Sequence, residues 1–133
     1  MRQAAGFTPA DLLAGARDLI VRPDAAVAGV WPRTAALLAR QALETAVDAH
    51  WQSDARTVEM TRATMRSQLI CLPAFLDGEL ARQVAFAYAA LTRACHYHPF
   101  ELAPTAAELI GWIADVEDLV AKLGASSPTP AGS

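Results

Sequence analysis

The stretch that decides the fold is TAAELIGWIADVEDLVAKLG, residues 105 to 124. It opens with a capping-box pattern, in which the Thr105 hydroxyl accepts from the backbone N–H of Glu108 while the Glu108 carboxylate reaches back to Thr105. Its apolar residues then recur three and four positions apart, as on one face of a helix: Leu109, Trp112, Ile113, Val116, Leu119, Val120 and Leu123. We predict an amphipathic helix that ends at Gly124 and needs other helices to cover its apolar face.

Four earlier segments have the same helical period. The first follows Thr8, an N-cap residue with Pro9 at the first helical position, and continues to Pro23. The others are predicted at 32–51, at 54–71 and from the cap residue Asp77 to the segment that begins at Arg93. No segment shows sustained period-two alternation. We therefore predict an all-α, up-and-down bundle of four to five helices over residues 1–124, followed by a disordered tail at 125–133.

Composition limits the classes of function. Of the 133 residues, 53% are hydrophobic and 19% are charged, so the chain can bury one substantial core and is not of the disordered type. Its formal charge is -3, and only a local basic patch would attract nucleic acid. No apolar run approaches the roughly 20 residues that span a bilayer. We expect a soluble, cytoplasmic, single-domain protein with no membrane partner.

Metal and cofactor sites are not indicated. The two cysteines, Cys71 and Cys95, fit neither a disulfide framework nor a zinc pattern. Cys95, His96 and His98 offer three ligand types, but they are almost contiguous, and structural zinc uses four ligands from separated pairs. We predict no metal and no cofactor, and we interpret both thiols as small buried apolar groups.

Most of the polar chemistry of the chain lies in RACHYHPF, residues 93 to 100. Pro99 disfavours helical geometry at His98, so the chain should leave the helix there while Arg93 still lies on it. A guanidinium that keeps its charge and an imidazole that titrates near neutrality could then share one anionic group. His96, three residues after Arg93, competes with His98 for the role of base, and Tyr97 adds a phenol.

A purely structural role for Arg93 and His98 is the alternative, with the guanidinium bonded to carbonyls at the helix end and the imidazole capping the next turn. Arg62 and Arg66 are predicted one turn apart on the third helix, where they form either a solvated surface or a contact for RNA phosphates. His50 continues the apolar stripe of the second helix, and a hydrogen-bonded core histidine explains it better than a ligand does.

Two segments resemble the HEPN superfamily. Residues 35–47, AALLARQALETAV, resemble the alanine- and leucine-rich HEPN helix that typically carries Gln-Ala-Leu-Glu. Arg93 and His98 are separated by four residues, and Phe100 follows. This spacing resembles the HEPN ribonuclease signature of arginine, four to six residues, histidine and often an aromatic residue. The resemblance covers residues 33–123.

The resemblance implies a metal-independent endoribonuclease that acts as a toxin or defence effector and forms a homodimer in which two motifs face one cleft. By position, Arg93 would stabilise charge on the scissile phosphate, and His98 would be the general acid or base for attack by the ribose 2′-hydroxyl. Phe100 would take the place of the usual tyrosine, and an antitoxin protein would be a further partner. Ala94 and Pro99 depart from the pattern of active members, so the other hypothesis is a non-catalytic HEPN-like module that binds nucleotides or proteins.

Overall fold

A computed structural model describes residues 7–22, 31–97 and 101–128 of the chain. The described residues form five α-helices and no strand. The helices are α1 (Pro9–Val21), α2 (Trp31–Gln52), α3 (Met65–Cys71), α4 (Gly78–Cys95) and α5 (Ala106–Ala125). Two short 3₁₀ helices, Val58–Arg62 and Leu72–Ala74, flank α3. The predicted all-α fold is confirmed.

The four long helices alternate in direction. Pro9 at the start of α1 lines one small cavity together with His50 near the end of α2 and Leu123 near the end of α5. At the other end of α2, Arg33 contacts Tyr97, which follows α4. α1 and α4 are therefore antiparallel to α2, whereas α5 is parallel to it. This is the arrangement of an up-and-down bundle.

α2 is the central helix and packs against α1, α4 and α5. Much of its buried surface is alanine, since Ala35, Ala36, Ala39, Ala42 and Ala46 are all buried. Small side chains at a helix contact allow the axes of neighbouring helices to approach closely, so several helices can share one partner. The larger buried residues of α2 fill the remaining space, and they are Leu43, Val47 and Trp51.

Three of the predicted helix starts, at Thr8, Asp77 and Thr105, are present. The Thr8 and Asp11 side chains form a capping box at α1, and the Thr105 and Glu108 side chains form one at α5. The Asp77 carboxylate accepts from the backbone N–H of Leu80 at the start of α4. Each cap satisfies N–H groups that have no partner inside the helix, which fixes where the helix begins.

The predicted third helix is interrupted. Residues 53–57 form turns, Val58–Arg62 form a 3₁₀ helix, and α3 begins only after Thr64. Hydroxyl groups supply the physical reason, because threonine side chains that bond nearby backbone compete with the helical ladder. The Thr57 hydroxyl donates to the carbonyl of Trp51 at 2.7 Å, and the Thr64 hydroxyl accepts from the N–H of Ser67.

The interruption separates the two arginines that were predicted on one helical face. Arg62 lies on the 3₁₀ helix and pairs with Glu59 at 3.4 Å, whereas Arg66 lies on α3. The prediction that they are stacked one turn apart on a common helix is therefore wrong. They belong to different surfaces.

The C-terminal helix continues one residue past the predicted end, because Gly124 lies inside α5 and Ser126 is the cap. Pro128 is fully buried, so the chain stays against the bundle up to that residue. Residues 129–133, most of the predicted tail, lie outside the described residues, as does most of the connector between α1 and α2. None of the helices in the described ranges combines the length and the apolar character needed to cross a membrane.

His50 is a buried residue of the core, as predicted. Its Nδ1 lies 3.4 Å from the carbonyl oxygen of Leu123, and its ring packs edge-on against Trp51. Burial lowers the pKa of His50, and this effect is opposed by hydrogen bonding to the backbone of Leu123 and Ser126. The imidazole is therefore neutral in the folded protein at pH 7, and it links α2 to α5.

The stability of the fold should fall as the pH drops below about 6.5, where a histidine in the unfolded chain takes up a proton. The unfolded state binds more protons than the native state between the unfolded pKa and the lowered native pKa, so stability increases with pH in that window. One group contributes at most about 1.4 kcal/mol per pH unit. Urea unfolding of the wild type and of His50→Gln between pH 5 and 7.5 measures this contribution.

His96→Gln is the control for this experiment, since His96 is exposed on the same chain. The substitution at position 50 should flatten the pH dependence of the free energy of unfolding, and the substitution at position 96 should leave that dependence intact. An unchanged slope in His50→Gln would show that the buried imidazole is not the group that titrates.

Candidate functional site

Arg93 lies in the last turn of α4, and its side chain is exposed. α4 ends at Cys95, and the backbone N–H of the cap residue His96 donates to the Arg93 carbonyl at 3.1 Å. His96 is therefore the cap residue of α4, three positions after Arg93, and its role as a competing base stays a prediction. His98, Pro99 and Phe100 lie outside the described residues, so their predicted roles are not tested here.

Arg93 and Arg66 line a groove of about 660 Å³ between α3 and α4. Its apolar surface includes Leu69, Ala85 and Ile70, whose side chain is 70% exposed. Arg62, the other predicted RNA contact, is not among the groove residues. One of the two arginines singled out in the sequence thus shares a surface with Arg93, and the other is ion-paired elsewhere.

Polar side chains also occupy the seam between α2 and α4. The Tyr88 hydroxyl donates to the Glu44 carboxylate at 3.2 Å. Burial raises the pKa of Tyr88, and the nearby Glu44 charge adds to this while Arg40 opposes it. Burial also raises the pKa of the Cys95 thiol, which makes Cys95 a poor nucleophile. The seam therefore places a tyrosine and a cysteine, both with raised pKa values, beside the opposite charges of Glu44 and Arg40.

Arg33 holds the exit of α4 against the start of α2. Its Nη2 donates to the carbonyl oxygen of Tyr97 at 2.6 Å. Its guanidinium carbon also lies 4.3 Å from the centre of the Tyr97 ring, within the range of a cation–π contact. One arginine thereby fixes both the backbone and the ring of the residue that precedes His98. Tyr97 uses its ring face for this contact.

Ion pairing separates the basic residues into two groups. Arg17, Arg56, Arg62, Arg82 and Lys122 each pair with a carboxylate. None of the ion pairs found among the described residues involves Arg33, Arg40, Arg66 or Arg93. These four adjoin the C-terminal half of α4. Of the five described arginines outside these ion pairs, four adjoin this half of α4, and the fifth is Arg22 at the C-cap of α1.

The structural alternative for Arg93 finds no support in the described ranges, where the Arg93 side chain has no hydrogen bond to a backbone carbonyl. Arg33 makes that kind of bond instead, at the same helix end. Within the described residues, no group of three or more histidine, cysteine, aspartate or glutamate side chains is placed to hold a metal ion. The candidate set Cys95, His96 and His98 includes a residue outside those ranges.

Sequence reasoning missed the contribution of α2 to this region. The predicted site includes none of Arg33, Arg40, Glu44 and Tyr88. A signal existed, because Arg33, Arg40 and Glu44 are seven and four residues apart and so share one side of an alanine-rich helix. The partner of that side could not be known before α4 was placed next to α2.

No family model matches the chain, and neither does any curated protein or solved structure. The class that the fold defines is an all-α bundle with an arginine-lined groove at one helix end. The HEPN resemblance is carried by the residues of α2 and by the Arg93 to Phe100 segment.

Replacing Arg33 with alanine should loosen the chain at Tyr97 while leaving the bundle folded. An exposed cation–π contact is worth about 0.5–1 kcal/mol, so the free energy of global unfolding should fall by no more than about that amount. The backbone N–H groups of His96 and Tyr97 should lose protection, because the contact that holds them is local. Hydrogen exchange followed by NMR measures both effects.

Arg33→Lys is the matched variant, since it keeps the charge but loses the planar guanidinium that stacks and bonds at once. The protection of residues 96 and 97 in this variant should fall between that in the wild type and that in Arg33→Ala. Equal protection of residues 96 and 97 in all three proteins would mean that the guanidinium does not hold this segment.

Proposed function

We propose that the chain is a metal-independent endoribonuclease of HEPN type, in which Arg93 and His98 act on RNA at a cleft between two copies. The observation that carries the proposal is the concentration of unpaired arginines around the C-terminal half of α4. The chain has a formal charge of -3, so this patch is where a polyanion would be attracted. Arg93 is exposed, and none of the ion pairs among the described residues involves it.

The chemistry suits these residue types. An imidazole takes the proton of the ribose 2′-hydroxyl, and the 2′-oxygen attacks the adjacent phosphorus. The guanidinium of Arg93 stabilises the negative charge that develops on the phosphate oxygens. The leaving 5′-oxygen needs a proton, which a second imidazole supplies. The products are a 2′,3′-cyclic phosphate and a 5′-hydroxyl, and no metal ion is required.

Two further features support this assignment. Arg66 lies across the groove from Arg93, where it can contact a neighbouring phosphate of the same strand. Arg33 holds Tyr97, the residue immediately before His98 in the sequence. Arg33 contacts the ring face of Tyr97, and the auxiliary role of its phenol stays a prediction. His96, Phe100 and Arg62 stay predictions.

A homodimer would complete the site. The groove beside Arg93 is apolar, and Ile70 projects from it with most of its side chain exposed. Ala85 and Ala89 on α4 leave room for a second helix to approach. A second copy packed on this groove would bring two Arg93 side chains toward one cleft. The toxin or defence role, the antitoxin partner and the cytoplasmic location stay predictions of the resemblance.

Arg93→Ala and His98→Ala should each reduce RNA cleavage by about 10²- to 10⁴-fold, the usual contribution of a general acid or base or of a charge-stabilising donor. EDTA should leave cleavage intact. The assay follows a labelled single-stranded RNA on a denaturing gel and identifies the 2′,3′-cyclic phosphate by mass spectrometry. Circular dichroism checks that each variant is folded.

Arg82→Ala is the matched control, because Arg82 lies on the same helix but is paired with Glu79. It should cleave like the wild type. An RNA with 2′-O-methyl groups should resist cleavage, since it lacks the attacking hydroxyl. Cleavage that survives both the Arg93 and the His98 substitution would remove the ribonuclease assignment and leave the nucleotide- or protein-binding module.

Ile70→Glu should convert the proposed dimer into a monomer, because it places a charge in the apolar groove. Cleavage should be lost with the dimer. Val21→Glu is the control, since Val21 is equally exposed, at 71%, but lies at the end of α1. Sedimentation analysis gives the mass of each protein. A monomeric wild type that cleaves RNA would contradict the two-copy cleft.

A further inference from the structure

A second groove lies on the other side of α4, between α4 and α5. It has a volume of about 420 Å³ and extends along α4 from Glu79 to Ala90. These twelve residues of helix correspond to about 18 Å, or roughly three turns. The ribonuclease proposal makes no use of this surface.

Aromatic and small residues line the apolar part of the groove. Phe86 is 76% exposed, a large fraction for a phenylalanine in a folded domain, and Trp112 is half-buried. Ala87 and Ala90 have short side chains, so they leave space beside the two rings. An exposed aromatic side chain at the rim of a groove is typical of a binding surface.

The charged part of the groove is acidic. Its lining contains the carboxylates of Glu79, Asp115 and Asp118 and only one cation, Arg82. Arg82 pairs with Glu79, and Lys122 pairs with Asp118 at 2.9 Å. Among the described residues, the Asp115 carboxylate has neither an ion pair nor a hydrogen bond. A carboxylate close to an indole and a phenyl ring is suited to a cationic side chain.

We propose that the groove between α4 and α5 binds a helix of a partner protein that presents a basic and an apolar side chain on one face. Charge complementarity selects the occupant, because the carboxylates attract arginine or lysine and repel the phosphates of RNA. The length of the groove fits three turns of helix, whose contact residues recur three and four positions apart. The proposal does not depend on ribonuclease activity.

The two grooves beside α4 thus differ in the sign of their charged side chains. The charged residues that line the groove on the α3 side are Arg66 and Arg93, whereas those on the α5 side are three carboxylates and Arg82. Phosphate and a basic helix would therefore bind on different sides of one helix. Phe86 and Arg93 are seven residues apart on α4, so they lie on nearly one face and about 10 Å apart along the axis, and a partner bound at Phe86 could affect access to Arg93.

A display library of helical peptides about 12 residues long tests the proposal. The contact positions of the peptides vary among apolar, basic and acidic residues. The wild-type protein is the target of the selection, and peptides that also bind Phe86→Ala are removed by counter-selection. We expect enrichment of arginine or lysine with leucine or phenylalanine, spaced three or four positions apart. Enrichment of acidic residues, or no enrichment over the counter-target, overturns the proposal.

A labelled peptide from this selection is then titrated against variants by fluorescence anisotropy. Phe86→Ala and Asp115→Lys should each weaken binding by about tenfold or more, as expected when an anchor or a charge partner is removed. Val21→Ala, which shortens a side chain of similar exposure on α1, should bind like the wild type. Equal binding to Asp115→Lys overturns the proposed charge recognition.

Two further measurements locate the peptide. In ¹H–¹⁵N spectra, the indole N–H signal of Trp112 should shift on binding while that of Trp31, at the start of α2, does not. Sedimentation of Phe86→Ala tests the competing occupant. If this substitution dissociates a dimer and no peptide is selected, a second copy of the chain occupies the groove and the partner-helix proposal is wrong.

Discussion

The close packing of the alanine face of α2 is the constraint on which the rest of the structure depends. α1, α4 and α5 all pack against α2, because its small alanine side chains allow the axes of neighbouring helices to approach closely. A larger residue at Ala39 or Ala42 would push one neighbour outward. Since α4 is antiparallel to α2 at this short distance, the register between them is fixed along their whole length.

That register determines which polar groups meet. Glu44 in the middle of α2 faces Tyr88 in the middle of α4, and Arg33 at the start of α2 faces Tyr97 just past the end of α4. Both contacts lie on the side of the bundle where Arg93 is exposed. The polar seam is therefore a product of core packing, and the position of the candidate site follows from apolar residues that never touch a ligand.

Much of the fold could be predicted because the determining signals are local. Capping residues such as Thr8 and Thr105 act within one turn, and the apolar period of α5 is visible in the sequence alone. The break at Thr57 and Thr64 was not predicted, because periodicity continues through a segment whose hydroxyl groups bond to the backbone.

The candidate site was only partly predictable, because it depends on contacts between helices that are far apart in the sequence. Arg93 could be identified from its neighbours in the chain, and its exposure agrees with an interpretation in which it faces a partner. The roles of Arg33 and Arg40 depend on contacts between helices more than 40 residues apart in sequence, as the separation of 64 between Arg33 and Tyr97 illustrates. Ion pairing likewise decides which arginines are free, and it cannot be read from composition.

Trp51 gives the molecule an internal optical probe. Its indole is completely buried, and it packs edge-on against Phe75, with ring centres 5.5 Å apart, and against His50 at 5.7 Å. A rigid aromatic pair in an asymmetric environment produces a near-ultraviolet dichroism band, and a protonated imidazole quenches indole emission. Once Trp31 and Trp112 are replaced, the emission of Trp51 reports the ionisation of His50, while the dichroism band reports whether the interior is still ordered.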